Sequence, residues 1–348
     1  MLKCFGRSPL YVMLILGMMF SIIPDRGSHA EERNYILTTA TTGGTYYPVG
    51  VALSTLVKLR LLPSHKISMS TISSAGSGEN IKLMRSGEAQ FAILQGLYGK
   101  WAVEGSGRVA ADGPQTHLRS VSMLWQNVEH FLLRSDYAVT GTVNDLKGMI
   151  GQPFSIGKRN SGTEGSGLHI LENMGIEADN FAMVNLGYGP TADALQNGRV
   201  IGANMPAGPP AGAVTRSFAS LGSNLTLLSF TQDDLRRVNR GGDLWSMYTI
   251  PAGTYPGQMN DVKTIAQPNF LAVNADVPEE DVYLITKSMY ENLPLLGNIH
   301  QATKAMSVAK AIEGLPMPLH PGAVRFYREM GLEIPDHMIS PRDTEALQ

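Results

Sequence analysis

The chain has 348 residues, 43% of them hydrophobic and 17% charged, which is enough to bury a large core and to divide into two domains. A formal net charge of −2, with no Lys/Arg block and no zinc-ligand spacing, excludes the basic footprint of a nucleic-acid binder. The start of the chain stands apart. Lys3 and Arg7 flank an apolar run from Leu10 to Ile23, and Ser28-His29-Ala30 supplies the small residues a signal peptidase reads. The run is shorter than the roughly 20 apolar residues that span a bilayer, and Pro24 and Gly27 break it. Residues 1–30 are therefore predicted to be a cleaved secretory signal peptide that delivers the rest to the periplasm. Cleavage would remove Cys4, the only cysteine, so the mature chain depends on a conventional core and not on disulfides.

From there, strand-like and helix-like stretches alternate. Tyr35 to Thr39 reads as a strand, followed by the turn "TATTGGTYYPVG" and a helix with Val49, Leu53, Leu56 and Val57 on one face. Lys66 to Ile72 alternates as a second strand, ends in "SSAGSGEN" and gives way to a helix through Ile81 to Arg85. Ala89 to Gln95 is an apolar strand before a helix at Leu97 to Glu104. A second set begins with "FSIGKRNSGTEGSG", Phe154 to Gly167, which reads as strand, polar turn and helix through Met174. Phe181 to Leu186, Pro190 to Leu195 and Val200 to Met205 continue as strand, helix and strand. Pro278 to Asn292 opens with "PEED", a proline and acids where a helix start favours them, and Ala302 to Ile312 and Ala323 to Met330 read as two further helices. Repeated βα units predict an α/β fold with a largely parallel sheet, whose ligands bind at the carboxyl ends of strands.

The chemistry of common enzyme motifs is missing from the sequence. H-E-x-x-H, G-x-S-x-G and the phosphate loop are absent; "GKRNSGT", Gly157 to Thr163, has the glycine spacing of a phosphate loop without its lysine. The eight histidines are scattered, so no metal site and no cofactor are expected. What remains is three polar, glycine-bearing helix starts: "TGGTYYP", "SAGSGEN" and "NSGTEG". Each presents unpaired backbone N–H groups and hydroxyls that suit an anion. Each also reads as a capped helix with no ligand: Ser77 with Asn80, or Ser161 with Glu164.

The order of "TGGTYYPVG", "AGSGENIKLMRSGEAQFAILQ", "SGTEGSG", "PAGTYPGQ" and "LHPGAVRFYREMGL" between Tyr35 and Leu332 resembles the TAXI family of solute-binding proteins of tripartite ATP-independent periplasmic (TRAP) transporters. The resemblance implies a two-lobed periplasmic-binding-protein fold of type II, each lobe a βα sheet domain, joined by a hinge of two crossings. Residues 31–134 and 262–348 would form lobe one and residues 135–261 lobe two, with crossings near Glu129 to Arg134 and Asp261 to Val273. It implies a monomeric receptor, not an enzyme, that binds a small carboxylate of the glutamate, glutamine or 2-oxoglutarate type and hands it to membrane permease subunits. By position, Gly44, Thr45, Tyr46 and Tyr47 would line lobe one beside Ser77, Gly78, Glu79, Asn80 and Gln95. Ser161, Gly162, Thr163 and Glu164 would face them, with Arg159 either pairing with a carboxylate or solvated, and Trp125 in the core.

One region departs from the family pattern. "VIGANMPAGPP" carries Gly202 in place of an acid and Asn204 after it, so that wall of the cleft is expected to differ. Two other functions use the same cleft: a secreted enzyme with Glu79 or Glu164 as general base, and a sensor presenting its ligand state to a signalling partner.

Overall fold

A computed structural model describes residues 31–341. The predicted signal peptide lies outside the described residues. In chain order the elements are β1 (Arg33–Thr38), α1 (Tyr46–His65), β2 (Ile67–Ile72), α2 (Ser77–Arg85), β3 (Phe91–Gln95), α3 (Gly96–Glu104), β4 (Leu118–Val128) and β5 (Phe131–Arg134). There follow β6 (Pro153–Ser155), α4 (Gly162–Asn173), β7 (Ala182–Val184), α5 (Tyr188–Gln196), β8 (Gly202–Asn204), α6 (Gly212–Leu221), β9 (Leu225–Leu227) and α7 (Gln232–Asn239). The chain closes with β10 (Ser246–Ile250), β11 (Val262–Asn274), α8 (Glu279–Glu291), α9 (Leu293–Ile299) and α10 (Pro321–Glu329). No helix among the described residues is long and apolar enough to cross a membrane.

Two sheets organise these elements. The first has the order β10-β11-β3-β1-β2, with β4 also paired to β11; the second has the order β7-β6-β8-β5-β9. This is the expected two-lobed α/β class. β3 is buried at every residue, as a strand covered on both faces requires. α1 lays Val49, Leu53, Leu56 and Val57 into the core of the first lobe, the face its sequence period marks out.

The sheets are more mixed than a βα reading predicts. β1 pairs in parallel with β2 and β3, but β11 runs antiparallel to β3, β4 and β10. The long antiparallel pair of β4 and β11 forms the spine of the first sheet, next to the point where the chain crosses to the second. Its residues lie about 140 positions apart in sequence, as in Val128 opposite Ala266, and no local signal announces such a pairing.

Cross-strand partners also move the expected boundaries. Phe131–Arg134, assigned above to lobe one, pairs with β8 and β9 in the second sheet. Ser246–Ile250, assigned to lobe two, pairs with β11 in the first sheet. The chain therefore leaves the first sheet at Glu129-His130 and returns to it ahead of Ser246, not at residue 262. The predicted helix at Ala302 to Ile312 is instead two short 3-10 turns, Gln301–Ala305 and Val308–Lys310. Between them Met306 and Ser307 take up extended backbone, which breaks the helical hydrogen-bond ladder.

Candidate ligand-binding cleft

The lobes are closed on each other. Asn160 O accepts from Glu79 N at 3.0 Å, Tyr98 Oη donates to Ser161 O at 3.1 Å, and Thr45 Oγ1 donates to Gly208 O at 3.0 Å. Glycine makes this approach possible. A Cβ on Gly78 would lie 2.7 Å from Asn160 O, and one on Gly162 would lie 2.6 Å from the Gln95 carboxamide. The glycines of "SAGSGEN" and "NSGTEG" thus let one lobe meet the other, a role their sequence setting does not separate from ligand approach.

Between the lobes lies a small cavity. About 40 Å³ of it is open to the centre of a water molecule, where one water occupies roughly 10–15 Å³ on that measure, so a few water-sized atoms fill it. Its walls include the N-cap residues of five helices: Thr45 of α1, Gly76 of α2, Gln95 of α3, Ser161 of α4 and Gly187 of α5. Five positive dipole ends therefore converge on one small space.

They are not equivalent. α2 and α4 each carry an acid in the first turn, and both acids are engaged with backbone: Glu79 Oε2 accepts from Ala75 N, and Glu164 Oε2 accepts from Asn160 N at 2.8 Å. α1, α3 and α5 have neither a first-turn acid nor a side-chain cap, but in α3 Leu97 N donates to Gln267 Oε1 at 2.8 Å, which leaves the starts of α1 and α5. Their free N–H groups are the ones an anion can take. Lys158, exposed but lining the cavity, adds a cationic group at its edge.

Of the residues singled out from sequence, Gly44, Thr45, Tyr46, Ser77, Gln95, Ser161, Gly162 and Thr163 line the cavity. The structure places the others elsewhere. Tyr47 sits half-exposed on α1, and Arg159 is exposed beside Lys158 without lining the cavity. Asn80 is buried and fully used in the scaffold: Nδ2 donates to Thr39 O and Ile93 O, while Oδ1 accepts from Thr38 and Ser74. Gly78 packs on the opposite lobe, and the carboxylates of Glu79 and Glu164 act as caps. Trp125 is buried edge-on to Tyr46.

Sequence reading missed Asn127, Lys158 and Tyr188. Asn127 is 1% exposed, lines the cavity, and has no protein partner for either amide atom among the described residues; Gln95 Oε1 is in the same condition. Buried amides without partners are costly, so these point to a polar ligand or water in the cavity. Tyr188 joins the walls: its hydroxyl donates to Pro206 O and lies 2.9 Å from Thr163 Oγ1. The signal for Asn127 was present in "LWQNVEHFLL", where polar residues interrupt an otherwise apolar strand.

The region that departs from the family pattern is also placed. Gly202 lies in β8 against Phe154 and Leu132, and Asn204 donates through Nδ2 to Glu129 Oε2 at 3.1 Å, so neither lines the cavity. Burial pushes Glu129 up to about 7, against hydrogen bonds that pull it down.

Comparison with solved structures shows the same fold at low identity. A protein of Bordetella bronchiseptica RB50 aligns with a TM-score of 0.50 and 11% identity over 89% of this chain and 93% of that one. The alkanesulfonate-binding protein SsuA of Xanthomonas axonopodis pv. citri gives a TM-score of 0.47 and 12% identity over 86% and 92%. The aliphatic sulphonate binding protein SsuA of Escherichia coli gives 0.46 and 13% over 86% and 84%. In sequence, the NMT1-like family profile spans residues 37–331, most of the described chain, and the chain accordingly belongs to the NMT1-like family.

Proposed function

We propose that the chain is a periplasmic solute receptor that binds a small carboxylate between its lobes and delivers it to the membrane subunits of a TRAP-type transporter. One observation carries the anion part of this reading: five helix N-termini converge on one cavity between the lobes, and two of them, α1 and α5, have no acid and no side-chain partner of their own. An anion there gains unpaired N–H donors and two unopposed dipole ends. In this closed form the cavity holds only a few water-sized atoms, so a ligand of glutamate size enters with the lobes further apart, and Asn127 and Gln95 supply further hydrogen bonds. The TRAP partner and the glutamate, glutamine or 2-oxoglutarate class come from the family resemblance of the helix-start motifs.

The enzyme alternative loses its support, because the carboxylates of Glu79 and Glu164 are held as caps and line no part of the cavity. A receptor that closes on its ligand binds it better in the closed form and shifts an open–closed equilibrium. Calorimetric titration with L-glutamate, L-glutamine and 2-oxoglutarate, with small-angle scattering on the same samples, tests the reading. Binding with compaction supports it. Failure of all three to bind would remove the carboxylate class, and mass spectrometry of ligand carried through purification would then identify the true one.

A further inference from the structure

We propose that Glu129 couples anion capture in the cleft to the uptake of one proton. The inference rests on the anion reading above and adds to it a charge directly beneath the site. Glu129 is fully buried where the chain leaves the first sheet. It lies two residues beyond Asn127 on a strand whose ladder continues through Glu129 N to Ile265 O, so the two side chains share a face. Asn127 lines the cavity, and the charge of Glu129 acts on the hydroxyls of Tyr46 and Tyr188, two more of its walls.

The surroundings of this carboxyl offer hydrogen bonds to its ionised form. Oε2 accepts from Asn204 Nδ2, and Oε1 has no partner among the described residues. Ser166 of α4, Gln267 of β11 and Trp245 ahead of β10 also face it and favour its ionised form. Among the described residues, the groups that face Glu129 are therefore Tyr46, Tyr188, Ser166, Asn204, Gln267 and Trp245, and no Lys or Arg is among these.

A buried carboxylate whose charge reaches the cavity walls Tyr46 and Tyr188 repels an anion bound there. Glu129 alone already sits near neutrality, pushed up to about 7 by burial. A bound anion moves it higher, so anion and proton enter together, the proton coming from solvent. Linkage is reciprocal, and anion affinity is greatest below the pKa of the free site and falls as pH rises through it. Burial raises Tyr46 and Tyr188 further from neutral pH, and His130 is pushed down to about 4, its Nδ1 donating to Val128 O and its Nε2 accepting from Tyr255.

The test is calorimetric titration of the purified protein with 2-oxoglutarate, whose carboxylates stay ionised, from pH 6 to 8.5. Bis-tris and Tris serve as buffers, since anionic buffers would compete for the site. The expected result is uptake of about half a proton near pH 7.5 and a Kd roughly sevenfold weaker at pH 8.5 than at pH 6, as one unit of pKa displacement on binding produces. Glu129→Gln is expected to bind with an affinity constant over that range. Binding of 2-oxoglutarate without proton uptake would overturn the coupling and leave the carboxylate reading intact. Infrared difference spectra of the wild-type protein give a measurement that depends neither on the variant folding nor on a ligand. A protonated-carboxyl band lost near pH 7 is expected, and its absence above pH 6 would overturn the inference. If the band titrates but no carboxylate binds, the anion reading fails and the coupling falls with it.

Discussion

The two Gly-Thr helix starts, "GGTYYP" before α1 and "SGTEGS" opening α4, are similar in sequence and opposite in use. Ser161 sits at the N-cap of α4 in extended backbone, and its hydroxyl accepts from Glu164 N at 3.0 Å. That helix start is satisfied within its own lobe. Thr45 holds the N-cap of α1 in helical backbone, caps nothing, and donates across the cleft to Gly208 O. The start of α1 is completed only by the other lobe or by a ligand. A cap residue that closes on its own helix stabilises the lobe, whereas one that reaches across stabilises the closed state.

Four substitutions break or sharpen this contrast. The largest effect is expected from Gly78→Val, which drives a branched side chain onto Asn160 O, a backbone atom that cannot swing aside. Overpacking of this kind costs about 3 kcal/mol at the upper end of its usual range, on the order of a hundredfold in affinity, and falls mainly on the closed state, since its nearest contact within the lobe is the movable ring of Tyr98 at 3.1 Å. Scattering should show an expanded molecule; one as compact and as tightly binding as wild type would disprove the contact face.

Thr163→Ala comes next. Thr163 lines the cavity and meets Tyr188 Oη, and it is Ser161, not Thr163, that caps α4. Loss of a hydrogen bond to an anion costs about 1.5–3 kcal/mol, roughly ten- to a hundredfold in Kd, with folding retained. An unchanged Kd beside a lowered melting temperature would return Thr163 to a structural role.

Thr45→Ala removes the bond to Gly208 O and should weaken binding of 2-oxoglutarate by about 1 kcal/mol, around fivefold, while leaving the melting temperature of the unliganded protein nearly level. Ser161→Ala should do the reverse. A lost cap lowers stability by about 1 kcal/mol, which a thermal melt registers as a drop of roughly 2–4 °C, with the titration curve unmoved. Equal behaviour of the two variants would erase the distinction between the starts.

Local chemistry made part of this protein legible in its sequence. The apolar period of α1, the acids that open α8, and the glycine-bearing starts of α1, α2 and α4 all depend on residues within a few positions of each other. The α/β class followed from them, whereas the two lobes and the eight cavity-lining residues came with the family resemblance of those motifs. Tertiary structure alone decided the rest. β4 and β11 pair across a long interval, so the boundaries between the sheets depend on partners the sequence does not name. Asn127 and Tyr188 become neighbours of the same cavity only when the lobes meet, and Glu79 and Glu164 turn from candidate bases into caps because backbone N–H groups lie within reach. Glu129 reads as one acid in an apolar strand; the absence of a facing cation among the described residues and the nearness of a cavity wall, both set by long-range packing, turn it into a group poised near neutral pH.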